Sequence, residues 1–151
     1  MAKILKADEM NKCIGCFTCM MICSALNRKN HSIRKSSIHI KTSGGLSGRF
    51  VATVCHACRD PYCAEVCPAG ALAKRKGGGV VLDSHKCIGC KRCIDACAMQ
   101  AISYDEDTHQ PIICHHCGVC SRYCPHECLS VQEVDDWEEK PDYQGRTHND
   151  L

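Results

Sequence analysis

The sequence is poor in the residues that build an ordinary hydrophobic core. Its 151 residues include only four tyrosines, two phenylalanines and one tryptophan. The longest mostly apolar run, residues 17–26, contains a threonine, two cysteines and a serine, and it is far shorter than the roughly 20 residues that cross a bilayer. We therefore expect no direct membrane insertion, and we expect disulfides, metals or clusters to stabilise the fold.

Signals of other common protein classes are also missing. Residues 1–9 have no apolar stretch typical of a secretory signal, so the chain is expected in the cytoplasm, where thiols stay reduced. We find no G-x-S-x-G, Walker or dinucleotide-binding motif between a predicted strand and helix, which argues against an enzyme. The formal net charge is only +2, and we expect no nucleic-acid partner.

Cysteine is what the sequence has in excess. Sixteen of its seventeen cysteines form four runs of four. The runs are Cys13, Cys16, Cys19 and Cys23; Cys55, Cys58, Cys63 and Cys67; Cys87, Cys90, Cys93 and Cys97; and Cys114, Cys117, Cys120 and Cys124. Three runs share the spacing C-x2-C-x2-C-x3-C, and the second has a wider middle gap. The remaining Cys128 stands where Ala71 and Ala101 follow other runs, so it is expected to be a small buried residue.

These runs predict 4Fe-4S clusters. Three thiolates spaced two residues apart converge on three corners of one cubane, and thiolates are the soft ligands that iron-sulfur clusters require. Zinc is the alternative, but zinc sites pair two separated C-x2-C or Cys/His elements around a tetrahedron. Four complete runs predict four clusters with the sixteen cysteines as iron ligands. In bacterial two-cluster ferredoxins the fourth cysteine of a run ligates the other cluster, and spacing alone leaves open which runs pair.

Other residues inside the runs are expected to surround the clusters. His56, His115 and His116 are predicted either to donate N–H groups to cluster sulfurs or to be exposed. The aliphatic residues are predicted to form an apolar shell that keeps water away. They are Ile14, Ile22, Val66, Ile88, Ile94 and Val119.

Between the runs, β-branched residues on both sides of turn signals predict hairpins. The predicted hairpins lie at 38–54, 72–82 and 102–113, a last strand lies at 129–134, and a short helix follows the third cysteine of each run. The fold class is therefore α+β, with short hairpins and short helices around the clusters.

The sequence resembles the four-cluster ferredoxin-like electron-transfer subunits of molybdenum and tungsten oxidoreductases, of the dimethyl sulfoxide reductase B-subunit type. The resemblance covers about residues 8–134. The matching motifs are Cys13-Ile14-Gly15-Cys16 to Cys23 with Asn27; the widened run with Asp60-Pro61 and Cys67-Pro68-Ala69-Gly70-Ala71; and Cys87-Ile88-Gly89-Cys90 to Ala101-Ile102. The compact fourth run is more similar to the small subunits that accompany tungsten-dependent aldehyde oxidoreductases.

The resemblance implies two bacterial ferredoxin-like modules, one nested in the other. Module one is expected at 1–36 and 100–134, the inserted module two at 37–99, and a polar tail that contacts a partner at 135–151. The implied ligand sets are set A (Cys13, Cys16, Cys19, Cys124), set B (Cys114, Cys117, Cys120, Cys23), set C (Cys55, Cys58, Cys63, Cys97) and set D (Cys87, Cys90, Cys93, Cys67).

The resemblance also implies a non-catalytic subunit. It is expected to relay single electrons between a catalytic molybdopterin or tungstopterin subunit and a second redox partner, either a flavin subunit or a ferredoxin. The alternatives are a free-standing polyferredoxin carrier and a structural adaptor whose clusters serve only folding.

Overall fold

Short antiparallel strand pairs alternate with short helices in the structure, a computed structural model that describes residues 2–44 and 48–134. The strands are β1 Ala2–Lys6, β2 His39–Thr42, β3 Phe50–Thr53, β4 Leu72–Lys74, β5 Val80–Leu82, β6 Ser103–Asp105, β7 Gln110–Ile112 and β8 Ser130–Val134. The α-helices are α1 Thr18–Arg28, α2 Tyr62–Glu65, α3 Arg92–Ala96 and α4 Val119–Arg122. Short 3-10 helices lie at Met10–Lys12 and Ile33–Lys35. The predicted α+β class is confirmed.

The three predicted hairpins are confirmed, since β2 pairs with β3, β4 with β5, and β6 with β7. Their antiparallel registers place His39 opposite Thr53, Leu72 opposite Leu82, and Ser103 opposite Ile112. Each hairpin carries the chain from the end of one cysteine run to the start of the next. The hairpins therefore set the spacing between runs.

The sequence predicts strand β8 but gives it no partner. It pairs antiparallel with β1, with Ala2 opposite Val134 and Lys6 opposite Ser130. Ile4 and Leu5 of β1 are buried. A five-residue strand without an adjacent turn has no local hairpin signal, so only the folded chain shows that the two ends of the described residues meet.

The helices pack in pairs, with α1 against α4 and α2 against α3. Each helix begins one residue before the third cysteine of its run, close to the predicted position. The packing brings the first run next to the fourth run and the second next to the third. No helix among the described residues is long and apolar enough to cross a membrane.

Two apolar clusters support these helix pairs. The first joins Leu5, Met20 and Leu129 with Ile38 and Ile40 of the segment around β2, together with several cysteines. The buried members of the second are Leu72, Val80, Cys93, Ile102 and Ile113. The hairpin β2–β3 therefore packs on helix α1. The predicted tail at 135–151 lies outside the described residues.

Candidate iron-sulfur sites

Three hollows in the structure each contain one complete ligand set. The first contains set A with Cys128 beside it, the second contains set B and the third contains set D. They enclose about 350, 320 and 340 Å³, part of it open to solvent. Each set combines three cysteines of one run with the last cysteine of another run. The near-equal sizes and matching thiol arrangements indicate the same kind of occupant in all three.

The remaining four ligand candidates, those of set C, also lie near one another. Burial raises the pKa of the Cys63 thiol to about 12, and the neighbouring thiols of Cys55, Cys97 and Cys58 add to the shift. Cys97 has a similar effect on the pKa of Cys58, after burial. Cys97 also contributes to the raised pKa of Cys55, after burial and Cys58. The Cys97 thiol is thus close to three cysteines of the second run, in the same pattern as the three hollows.

The chemistry of these thiols fits a cationic cofactor. Burial raises the pKa of the Cys19 and Cys93 thiols to about 11 and that of Cys114 to about 12. Buried thiols become thiolates when a metal compensates their charge. Within residues 2–44 and 48–134, no group of three or more Cys, His, Asp or Glu side chains is close enough to hold a single metal ion. The thiols are spread around the hollows instead of meeting at one point.

The loops that carry the first two cysteines of each run share one backbone feature. The residue before the second cysteine has a positive φ in every run: Gly15 (70°), Ala57 (55°), Gly89 (69°) and His116 (58°). A left-handed residue turns the chain so that a backbone N–H can face the preceding sulfur. The N–H of His116 donates to Cys114 Sγ at 3.4 Å, and that of Gly15 to Cys13 Sγ at 3.5 Å. Glycine signals this geometry in two runs, but nothing in the sequence signals it at Ala57 or His116.

The last cysteine of three runs accepts a backbone hydrogen bond from the residue four positions later. The donors are Ala71 to Cys67 Sγ (3.3 Å), Ala101 to Cys97 Sγ (3.5 Å) and Cys128 to Cys124 Sγ (3.3 Å). Cys128 is 3% exposed, so its predicted burial is confirmed. The alanine position of the sequence repeat is thus a position that donates to a ligand sulfur and has little room for a side chain.

The three histidines inside the runs differ in their surroundings. His56 and His115 are exposed, and a hydrogen bond from the His115 side chain lowers the pKa of the Cys117 thiol to about 7. His116 is 1% exposed. Burial, followed by the electrostatic effects of Arg75, His115 and Lys6, lowers its pKa to about 4. His116 is therefore a neutral, buried imidazole.

The predicted apolar shell is only partly correct. Ile22, Val66, Ile94 and Val119 are half-buried, but Ile14 and Ile88 are 62% and 69% exposed. Both follow the first cysteine of a run. Because the flanking cysteines turn inward to the hollow, the residue at the tip of the loop turns outward.

Three groups of cysteine thiols around hollows of similar size, with a fourth group of neighbouring thiols, all held by tight loops and short helices, define a cysteine-ligated iron-sulfur protein. The chain belongs to the family described as the 4Fe-4S dicluster domain, which matches residues 46–134. The prediction of 4Fe-4S clusters as the cofactors is thereby confirmed.

Comparison with known proteins supports the resemblance. The chain is 36% identical over 145 residues to the NADH-dependent phenylglyoxylate dehydrogenase subunit beta of Aromatoleum evansii, covering 88% of this chain but only 32% of that protein. It is 28% identical over 152 residues to the B subunit of the anaerobic dimethyl sulfoxide reductase of Escherichia coli, covering 87% of this chain and 74% of that protein. The predicted resemblance to the dimethyl sulfoxide reductase B-subunit type is confirmed.

Solved structures show the same fold. The active site complex BamBC of benzoyl coenzyme A reductase, in complex with zinc, aligns with a TM-score of 0.52 and 19% sequence identity, covering 93% of this chain and 83% of that chain.

Proposed function

We propose that this chain is a non-catalytic electron-transfer subunit that carries single electrons through four 4Fe-4S clusters. The clusters would be held by sets A, B, C and D. The partners would be a catalytic molybdopterin or tungstopterin subunit and a second redox carrier, either a flavin subunit or a ferredoxin. The similarity to the B subunit of an anaerobic dimethyl sulfoxide reductase supports this assignment.

The observation that carries the proposal is the order of the four sets in space. Helix α1 carries Cys19 of set A and packs against α4, which carries Cys120 of set B. Helix α2 carries Cys63 of set C and packs against α3, which carries Cys93 of set D.

Between sets B and C, a Cβ on Gly79 would lie within 3.7 Å of both Cys55 Sγ and the imidazole of His116, a residue in the run of set B. Set A thus adjoins set B, B adjoins C, and C adjoins D. Such a line suits single-electron hopping from one end of the subunit to the other.

The exposed loop tips differ between the ends and the middle of this line. At the end sets A and D the tip residues are Ile14 and Ile88, both strongly exposed. At the middle sets B and C the equivalent residues are His115 and His56, also exposed. A single exposed apolar side chain is common on protein surfaces, but at the tip of a ligand loop it would bring a bound partner next to the cluster of that set. We therefore place the two partners at the Ile14 and Ile88 loops.

The nested arrangement of two modules belongs to the same proposal. The packing of α1 on α4 and of α2 on α3 supports an outer module built from the two ends of the described chain and an inner module between them. The contacts of Ile38 and Ile40 with the first apolar cluster favour counting the β2–β3 hairpin with the outer module, which moves the boundary beyond the predicted residue 37.

Metal analysis and redox titration test this function directly. An anaerobically purified sample should contain about sixteen iron and about sixteen sulfide per chain. Stepwise reduction followed by electron paramagnetic resonance should show clusters that each accept one electron. Clusters that stay oxidised at every accessible potential would support the structural adaptor instead, and a preparation dominated by zinc would refute the cluster assignment.

Substitutions at the loop tips test where the partners bind. Ile14→Lys and Ile88→Lys should each slow electron exchange with one co-purified partner and leave exchange with the other unchanged. His56→Lys, at the equivalent tip of a middle set, is the matched control. The co-purified complex should contain molybdenum or tungsten. Equal effects of all three substitutions would refute the assignment of the two ends, and a protein that purifies without any partner would favour the free-standing carrier.

A further inference from the structure

We infer that His116 donates a hydrogen bond from its Nε2 atom to the cluster of set C and thereby sets the reduction potential at the junction between sets B and C. This inference rests on the proposed relay, because it concerns the step at which an electron passes from one proposed module to the other. His116 is a positioning and tuning residue, not an iron ligand.

The tautomer of His116 follows from its surroundings. Its Nδ1 accepts a hydrogen bond from the backbone N–H of Leu5 at 3.1 Å. A ring nitrogen that accepts has no proton, so in the neutral imidazole the proton must be on Nε2. Nε2 is therefore a hydrogen-bond donor.

This donor is buried and lacks a protein acceptor. The His116 side chain is 1% exposed, and Nε2 has no hydrogen-bond partner among the residues that the structure describes. A buried N–H without an acceptor is unfavourable, and nearly all such groups in proteins are satisfied. The orphaned N–H thus indicates an acceptor that the protein side chains do not supply.

The position of Nε2 identifies the acceptor. A Cβ placed on Gly79 would lie 3.5 Å from His116 Nε2 and 3.7 Å from Cys55 Sγ, so both atoms flank the same small space. Gly79 has a φ of +80° and donates its backbone N–H to the carbonyl of Cys58 at 2.9 Å. Glycine leaves this space open between the histidine and set C. Nε2 makes no hydrogen bond to Cys55 Sγ itself, so the acceptor on that side would be an inorganic sulfide of the cluster that set C would hold.

His116 also contacts the neighbouring set. Its backbone N–H donates to Cys114 Sγ at 3.4 Å, and Cys114 belongs to set B. One residue therefore links the two sets, with its main chain at set B and its imidazole at set C. No other histidine in a cysteine run of the described residues is buried in this way.

The hydrogen bond changes the driving force of one electron transfer. Reduction of a cluster held by set C would add one negative charge to it, whichever way the electron travels through the subunit. A donor N–H stabilises the more negative state, so it raises the reduction potential of set C. The proton stays on Nε2 throughout, and the step transfers only the electron.

Two substitutions test separately the hydrogen bond that Nε2 would donate and the one that Nδ1 accepts. In His116→Asn the side-chain amide reaches the position of Nδ1, can still accept from Leu5, and has no atom at the position of Nε2. Asparagine also tolerates the left-handed φ of 58° at this residue. His116→Gln places an amide N–H near the position of Nε2. His56→Gln is the matched control, because His56 is adjacent to Cys55 but exposed.

The measurement is the reduction potential of each cluster in the complete protein. The signal that changes in Cys58→Ser identifies the cluster of set C. His116→Asn should lower the ratio of reduced to oxidised set C about tenfold at a fixed potential, equivalent to 59 mV for one electron. His116→Gln should restore most of this ratio, and His56→Gln should leave it unchanged. An unchanged set C in a fully loaded His116→Asn protein, or a shift confined to set B, would overturn the inference.

A spectroscopic readout on the unsubstituted protein covers the case in which His116→Asn fails to assemble its clusters. With ¹⁵N-labelled histidine, reduced set C should show a hyperfine coupling to one imidazole nitrogen, and absence of that coupling would refute the hydrogen bond. Failure of the relay itself would look different, since the clusters of the unsubstituted protein would then take up no electrons at all.

Discussion

The side-chain amide of Asn27 donates a hydrogen bond to Cys23 Sγ at 3.5 Å. In the other three runs, the backbone N–H four residues after the last cysteine makes the equivalent bond. Helix α1 continues past Cys23 to Arg28, so the backbone N–H of Asn27 is directed along the helix. At this position the first run therefore uses a side chain where the others use the main chain, and a second donor, the backbone N–H of Ser37, reaches Cys23 Sγ at 3.4 Å.

This relationship predicts that Asn27→Ala lowers the reduction potential of the set B cluster. Removing a donor destabilises the reduced state, and loss of one N–H···S bond should reduce the ratio of reduced to oxidised cluster roughly tenfold at a fixed potential. Redox titration followed by electron paramagnetic resonance measures this ratio. Asn11→Ala, at an exposed position, is the control, and an equal shift in both variants would contradict the prediction.

Cys128 should be dispensable for cluster binding. Its thiol lies against Cys124 and Cys13, and burial raises its pKa to about 12, while its backbone N–H also donates a hydrogen bond to Cys124 Sγ. Cys128→Ala keeps that N–H, so the protein should retain about sixteen iron per chain. Cys124→Ala is the comparison and should disturb one cluster. Loss of about four iron from Cys128→Ala would instead make Cys128 a ligand.

Gly89→Ala should destabilise the folded protein more than Gly70→Ala. Both residues have a positive φ, +69° and +58°, so each alanine costs about 1–2 kcal/mol of backbone strain. A Cβ on Gly89 would also lie 2.8 Å from the carbonyl oxygen of His109, whereas nothing lies within 4 Å of a Cβ on Gly70. The extra overlap should cost about 1–3 kcal/mol. The urea concentration at which half of the cluster absorbance is lost measures the difference in stability between the two variants. Equal concentrations would show that the loop at His109 moves to accommodate the added Cβ atom.

Removal of iron should unfold most of the protein. The two apolar clusters are small and include cysteine side chains among their members, so cluster binding supplies much of the folding free energy. Chelation under reducing conditions should abolish the far-ultraviolet circular dichroism of the helices together with the visible absorbance. Helical signal that survives complete loss of iron would show that the organic core is sufficient.

The identity of the cofactor and most of the local structure could be predicted from the sequence. Cysteine spacing is a local property, and a C-x2-C-x2-C loop presents three sulfurs to one cubane wherever it lies in a fold. The hairpins β2–β3, β4–β5 and β6–β7 also depend on residues close together in the chain. Helix α1 was predicted for the same reason, because it begins beside Cys19 within its own run.

Contacts between residues far apart in the chain could not be predicted from local sequence patterns and are seen only in the tertiary structure. No local pattern signals that β1 pairs with β8, that Cys124 lines the same hollow as Cys13, or that Ile14 faces outward. His115 and His116 are neighbours of the same type, yet one is exposed and the other is buried against Leu5 and Gly79. The sequence determined which ligands and cofactor the protein uses, because that chemistry depends on short spacing. Only packing across the whole chain decided which thiols share a hollow and where the buried imidazole donates, because burial is created by elements that are far apart in sequence.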